Sequence, residues 1–171
     1  MGITKPRPLE KEDSRADFDC GKPSLNTWFH SFAWRNQATG ASRTNIVCDS
    51  ETGGIVGYVS LASTKVQRSI LPKSKQRNMP DPVPAILLGQ LAVDKDYQGQ
   101  GVAASLLIFA FNTVIEVSKQ IGCSVLITHP IDDGVREFYK KYGFIDTPFD
   151  PDKSMIIKIS DLQLARLEVD S

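Results

Sequence analysis

The chain of 171 residues has three cysteines and two histidines. Cys20, Cys48 and Cys123 are odd in number and far apart, and no CxxC or Cys/His spacing links them. That pattern argues against a disulfide framework and against a structural or catalytic metal. An excess of either charge is also missing. Twenty Lys plus Arg stand against twenty Asp plus Glu, so the formal net charge is zero. A balanced total argues against wholesale nucleic-acid binding but leaves room for a local basic face. Long apolar runs are absent as well. The opening "MGITKPRPLEKEDS" lacks the apolar centre of a signal peptide, and no stretch approaches the ~20 apolar residues of a membrane-spanning helix. No repeat or low-complexity block is visible. A cytoplasmic chain with reduced thiols, making no membrane contact, is the expectation. With 41% hydrophobic and 23% charged residues, residues 1–171 suit one domain with a real core.

What is present reads as alternating strands and helices. "GITKPRPL" suits a short edge strand interrupted by Pro6 and Pro8. "CGKPSLNTWFHSFAWRNQ" suits one helix with Ser24 as N-cap and Leu25, Trp28, Phe29 and Phe32 as its apolar stripe. "RTNIVCD" and "IVGYVSLAST" flank the turn "SETGG" as a hairpin. "VQRSILPKSKQRNMPDPVP" is rich in Lys, Arg and Pro and reads as one long loop. "AILLGQLAV" is a buried strand. From Ala103, the positions Leu107, Ala110, Val114, Val117 and Ile121 make a helical stripe, broadened by Leu106 and Phe109 and closed by Gly122. "SVLITH" is a further strand, "GVREFYKKYGF" a short helix stopped at Gly143, and "SMIIKIS" a last strand. The sum is an α/β (α+β) fold, with helices packed on a mixed sheet.

The stretch "LLGQLAVDKDYQGQGVAASLL" carries the chemistry. Gly99, Gly101 and Ala104 fit G-x-G-x-x-G/A, but the polar spacer "DKDYQ" separates them from the strand. About 20 residues on stands "KQIGCS", without the acid a dinucleotide ribose requires. A triphosphate loop fails for want of Gly-Lys-Ser/Thr. The third reading takes Gln98, Gly101 and Ala103 as Q-x-x-G-x-A, joining a strand to a helix N-terminus. There the unpaired first-turn amides and the helix dipole suit a pyrophosphate. The strand residues Leu91, Ala92 and Val93 can pair with an extended amide-bearing arm. Pyrophosphate plus such an arm is coenzyme A. A ligand-free glycine turn is the plain alternative.

This segment resembles the acetyl-CoA-binding segment of the GNAT acetyltransferase superfamily, and "FYKKYGF" resembles its second signature. "FDCGKPSLNTWF", "RNQATGASRT", "GYVSLAS" and "VPAILLGQLAVD" follow in the order seen in the GNAT toxins of toxin–antitoxin modules. The resemblance spans roughly Leu9 to Leu162. It implies a single GNAT-fold domain with a central, mostly antiparallel twisted sheet flanked by helices. It implies acetyl-CoA as co-substrate, held by Leu91, Ala92, Val93, Gln98, Gly99, Gln100, Gly101, Val102, Ala103 and Ala104, with no metal. It further implies aminoacyl-tRNA as substrate, a DNA-binding antitoxin of ribbon-helix-helix type as partner, and a homodimer. A GNAT acting on a small-molecule amine or a protein N-terminus is the alternative.

Acetyl transfer to an amine needs a neutral amine, a polarised thioester carbonyl and a proton for the departing thiolate. Backbone amides near Val93 suit the second task. By resemblance Tyr139 is the general acid, a phenol protonated at neutral pH. Val135, Phe138 and Tyr142 form the stripe of its helix, so Tyr139 is expected to face a cleft while Phe138 packs inward. No strong base stands out; Glu51, Asp94 and Asp96 suit turns, and His30 suits packing. His129 ends a strand near the expected cleft. An α-amine titrating near about 8 is itself substantially neutral in the cell. Arg35, Arg43, Lys73, Lys75 and Arg77, with Lys65 and Arg68 beside them, are the candidates for tRNA phosphates.

Overall fold

Alternating apolar residues on either side of a tight turn make the expected hairpin. Strand β2 (Arg43–Cys48) pairs antiparallel with β3 (Ile55–Val66), in register from Arg43 opposite Leu61 to Val47 opposite Gly57, with a shift before Cys48 opposite Ile55. The turn between them is built on Asp49, whose carboxylate accepts the amides of Glu51 and Thr52. The short strand β1 (Arg7–Pro8) adds to β2, where Pro8, with Pro6 just before the strand, suits an edge. These coordinates are a computed structural model describing residues 2–170, with side chains described through 165.

The chain divides into two compact units, Met1–Ala62 with Gly89–Ala110 and Ser63–Leu88 with Phe111–Ser171. Strands β3 and β4 (Val83–Val93) and helix α4 (Val102–Ser118) each contribute residues to both. The first unit holds β1, β2, most of β3 and the helices α1 (Pro23–Ser31) and α2 (Ala33–Thr39). Its core is aromatic. Tyr58 is fully buried and stacks on Phe29 at 4.3 Å, with Phe18 edge-on to both rings. Each such pair adds roughly 0.5–1.5 kcal/mol beyond area burial. The Tyr58 hydroxyl donates to Leu25 O at 2.9 Å, which satisfies the one polar group this stack buries.

The second unit holds the rest of β4, then β5 (Val125–Thr128), α5 (Asp133–Lys141), β6 (Ile145–Asp146), β7 (Met155–Lys158) and α6 (Ile159–Asp170). β4 runs parallel to β5 from Ala85 opposite Val125 to Leu88 opposite Thr128, and β7 pairs antiparallel with both β5 and β6. Antiparallel pairings of β1 with β2, β2 with β3, β5 with β7 and β6 with β7, beside the parallel β4–β5 pair, fit the mixed, mostly antiparallel sheet that the resemblance implies.

Several local expectations are corrected. The single N-terminal helix is two, broken at Phe32, and Phe32 is 42% exposed and not part of the core. Its first helix is capped at Lys22 with Pro23 at the first position, so Ser24 is not the cap; proline's fixed φ suits that place. The basic loop is not structureless. It contains a 3-10 turn (Arg68–Ile70) and a one-turn helix α3 (Lys73–Gln76), and Leu71 is fully buried with Val66 and Val83. Helix α4 ends at Ser118, leaving Ile121 68% exposed and outside the stripe. After β7 the chain continues as helix α6.

Candidate active site

Within the first unit, β4 delivers Leu91, Ala92 and Val93, and the loop after it turns sharply into α4. Gln98 is extended, and Gly99 and Gly101 take φ of 78° and 82°. A Cβ at either glycine would meet nothing within 4 Å. Glycine is therefore needed for the left-handed backbone, not for want of room. Left-handed turns of this kind bring successive amides to one side, an arrangement suited to anions. Ser105 N donates to Gly101 O, so the amides of Val102, Ala103 and Ala104 precede the first intrahelical bond. Val102 is buried, Ala103 and Ala104 are half-buried, and Gly99, Gln100 and Gly101 are exposed.

The Gln98 side chain does something that its place in the motif does not announce. Its Nε2 donates to Cys20 O and to Val93 O, each at 2.9 Å. Both amide hydrogens are thus committed to protein carbonyls, so only the backbone of Gln98 remains to meet a pyrophosphate. Asp94 is 9% exposed and accepts from Asp96 N and Asp19 N. It is an anchor of the turn and not a base. Tyr97 donates to Asp49 at 2.7 Å, and this bond holds the Asp49 carboxyl below its ordinary range.

Within the second unit, Asp132 caps α5 by accepting from Val135 N at 2.8 Å. Burial along α5 reverses the expected pattern, because Tyr139 is 4% exposed while Phe138 is only half-buried. The Tyr139 ring packs edge-on against Phe138 and Phe144. The reason lies in Phe144: it is the buried aromatic that the chain brings back after Gly143 (φ 102°), onto the face that carries Tyr139. Burial pushes the Tyr139 phenol up to about 12, opposed by a hydrogen bond with Thr128. Thr128 is the last residue of β5, and its hydroxyl donates to Leu88 O at 3.0 Å. A phenol so raised is an acid that keeps its proton, and no base.

The remaining candidates divide between the two units. His30 Nε2 lies 3.0 Å from Phe18 O, and His129 is exposed. Arg35 is exposed and lies over the Phe32 ring, and Arg43 donates to Gln37 O. Lys73 and Arg77 are exposed, whereas Lys75 is 3.8 Å from Asp161. Arg68 braces its own loop by donating to Met79 O. Among the described residues no group of three His, Cys, Asp or Glu is arranged to hold a metal, and no helix is long and apolar enough to cross a membrane.

Residues 41–146 match the family model described as an acetyltransferase (GNAT) domain. The chain is 36% identical over 156 residues to the tRNA-acetylating toxin of Mycobacterium tuberculosis (strain ATCC 25618 / H37Rv), covering 91% of this chain and 93% of that one. It is similar to the solved structure of AtaT complexed with acetyl-methionyl-tRNAfMet, at a TM-score of 0.88 and 28% identity, over 96% of this chain and 99% of that one. It is similar also to AtaTR bound with AcCoA, at a TM-score of 0.83 and 28% identity, over 96% and 98% of the two chains.

Proposed function

The chain belongs to the GNAT acetyltransferase family, and on that footing we propose that it transfers acetyl from acetyl-CoA to the α-amino group of aminoacyl-tRNA and so blocks translation. One observation carries most of the reading. The glycine-turned amides at the head of α4 are joined to β4 by one short turn (Lys95–Tyr97), which suits the pyrophosphate and amide arm of coenzyme A without a lysine or a metal. In this reading Leu91–Val93 hold the arm and the Val93 amide polarises the thioester carbonyl. The amides of 99–104 hold the pyrophosphate.

The neutral amine attacks the carbonyl carbon and gives up one N–H proton to solvent. The tetrahedral intermediate collapses with cleavage of its C–S bond, and the departing thiolate takes a proton from Tyr139, which is reprotonated from solvent. The raised phenol pKa supports that last role, since a group near 12 remains protonated throughout neutral pH. Attack needs no dedicated base, because the α-amine titrates near about 8. The aminoacyl-tRNA assignment draws on the tRNA-acetylating relative and on the acetyl-methionyl-tRNA complex of AtaT. The basic residues Arg35, Arg43, Lys73, Lys75 and Arg77 take the phosphates in this reading. The chain acts as one catalytic domain and as a homodimer, with a DNA-binding antitoxin of ribbon-helix-helix type as its partner in the cytoplasm.

The test is incubation of total charged tRNA with labelled acetyl-CoA, followed by mild alkaline release of the amino acids. N-acetyl amino acids are the expected product. Polyamine or peptide acetylation in their place overturns the tRNA assignment.

A further inference from the structure

The segment from Phe18 to Asn26 packs against the acetyl-CoA loop in the first unit, through bonds that the acetyl-transfer chemistry does not use. Asp19 O accepts from Lys95 N at 2.8 Å, and Asp19 N donates to Asp94 Oδ2 at 3.2 Å. Cys20 O accepts one of the two Gln98 amide bonds, while the other returns to Val93 O at the end of β4. Two features of the loop, its turn at Asp94–Lys95 and the residue before its first glycine, are thus tied to one dipeptide, and Gln98 links that dipeptide in turn to the end of β4.

That dipeptide is itself fixed from α1. Asn26 Nδ2 donates to Asp19 Oδ1 at 2.8 Å, and Asn26 Oδ1 accepts from Cys20 N at 2.9 Å. Gly21 N donates to the same Asp19 Oδ1 at 2.8 Å, and Lys95 Nζ lies 3.2 Å from Asp19 Oδ2. Asn26 reads both the side chain of Asp19 and the backbone of Cys20, so it sets the conformation of the dipeptide and not merely its position. These donors hold the Asp19 carboxyl near 2, so it is fully ionised wherever the protein works.

We propose that Asn26 and Asp19 are positioning residues for coenzyme binding, acting through Cys20 O and Gln98 to pre-shape the loop whose amides receive the pyrophosphate. A loop with two left-handed glycines is conformationally broad when unbraced. Ordering it at the moment of binding subtracts from affinity, and a loop already ordered avoids that cost. The role therefore predicts an effect on coenzyme affinity and none on the chemical step. This inference rests on the coenzyme assignment above, but not on the tRNA assignment.

The experiment is calorimetric titration of the full chain with acetyl-CoA and no acceptor present, so a failure of the tRNA reading leaves it untouched. Asn26→Ala and Asp19→Ala are each expected to raise Kd by about tenfold, the loss of one or two hydrogen bonds to a charged or buried group. At saturating acetyl-CoA, kcat stays within about twofold of wild type. Amide exchange at Lys95 and Tyr97 accelerates. Asp19→Asn retains an oxygen for Gly21 N and Asn26, and loses only an exposed ion pair, so it restores most of the affinity. If Asp19→Ala does not fold, Asn26→Ala carries the test, since alanine is at least as good a helix former at that place. Unchanged Kd in folded Asn26→Ala overturns the proposal. So does Asp19→Asn as weak as Asp19→Ala, or a fall in kcat with Kd unmoved.

Discussion

A Cβ placed on Gly57 would lie 3.1 Å from Ala92 O and 3.0 Å from Leu106 Cδ1. β3 therefore carries a glycine where Ala92 of β4, one of the residues proposed to hold the coenzyme arm, and the first turns of α4 lie against it. Asp94 N donates to Val56 O at 2.7 Å next to this contact, so the close approach and the exit of β4 are fixed together. Leu106 can yield by rotating, but a backbone carbonyl cannot. Gly57→Ala is expected to destabilise the chain by about 1–3 kcal/mol, read as a lower denaturant midpoint with unchanged slope. Coenzyme affinity falls with it, because Ala92 is displaced. Wild-type stability in this variant would mean that β4 has room to move.

At Gly101 two effects are separable. The position has φ of 82° and open space, so Gly101→Ala suffers backbone strain of about 1–2 kcal/mol without a clash. Gly101→Glu suffers the same strain and also sets a carboxylate where the pyrophosphate is expected. Calorimetry should find weakened acetyl-CoA binding for alanine and none for glutamate, with the glutamate variant partly restored by salt. Equal affinities for the two variants would remove the anion from this place.

Tyr139→Phe should keep the fold and coenzyme binding while lowering turnover by roughly 100-fold or more. The pH dependence follows from burial of the phenol. Its folded-state pKa of about 12 lies above the ordinary value of 10. Its contribution to stability is thus complete below about 10 and is lost as pH rises through about 12. Between pH 6 and about 9 the acid form persists, so turnover should show no alkaline fall in that window. The activity rises instead as the α-amine deprotonates near about 8. An alkaline limb near pH 8 in wild type that disappears in Tyr139→Phe would assign the phenol a different pKa and a different role.

The sequence was most readable where chemistry and backbone geometry demand the same residues. Gly99 and Gly101 are required by their φ, and the strand before them by its apolar run, so the strand–glycine–helix segment is legible. Side-chain direction was less readable. Tyr139 and Phe138 are both aromatic neighbours on one short helix, and only the return of Phe144 decides which is covered. Phe32 fits a helical stripe on paper, yet the helix breaks at it and turns it outward. Gln98 shows the same limit at the site itself. Its motif position suggested ligand contact, but the partner that occupies its amide, Cys20 O, is 78 residues away in sequence. Long-range hydrogen bonds of that kind leave no local periodicity to read.

The acceptor is tested by charge. Each tRNA phosphate neutralised by Lys or Arg releases counterions, so binding falls steeply as salt rises. Replacing Arg35, Lys73, Lys75 and Arg77 together by Gln should raise KM for charged tRNA and flatten its salt dependence, leaving the acetyl-CoA Kd unchanged. The four side chains are not equivalent. Lys73 and Arg77 are exposed, so their charges are available to a phosphate, whereas Lys75 already stands near Asp161 and Arg35 over Phe32. Lys73→Gln with Arg77→Gln should accordingly account for most of the loss, and Lys75→Gln for little. Steady-state assays with charged tRNA across a salt series resolve the contributions. A KM that ignores both salt and the four substitutions would point to an acceptor without a phosphate backbone, and to the small-amine alternative.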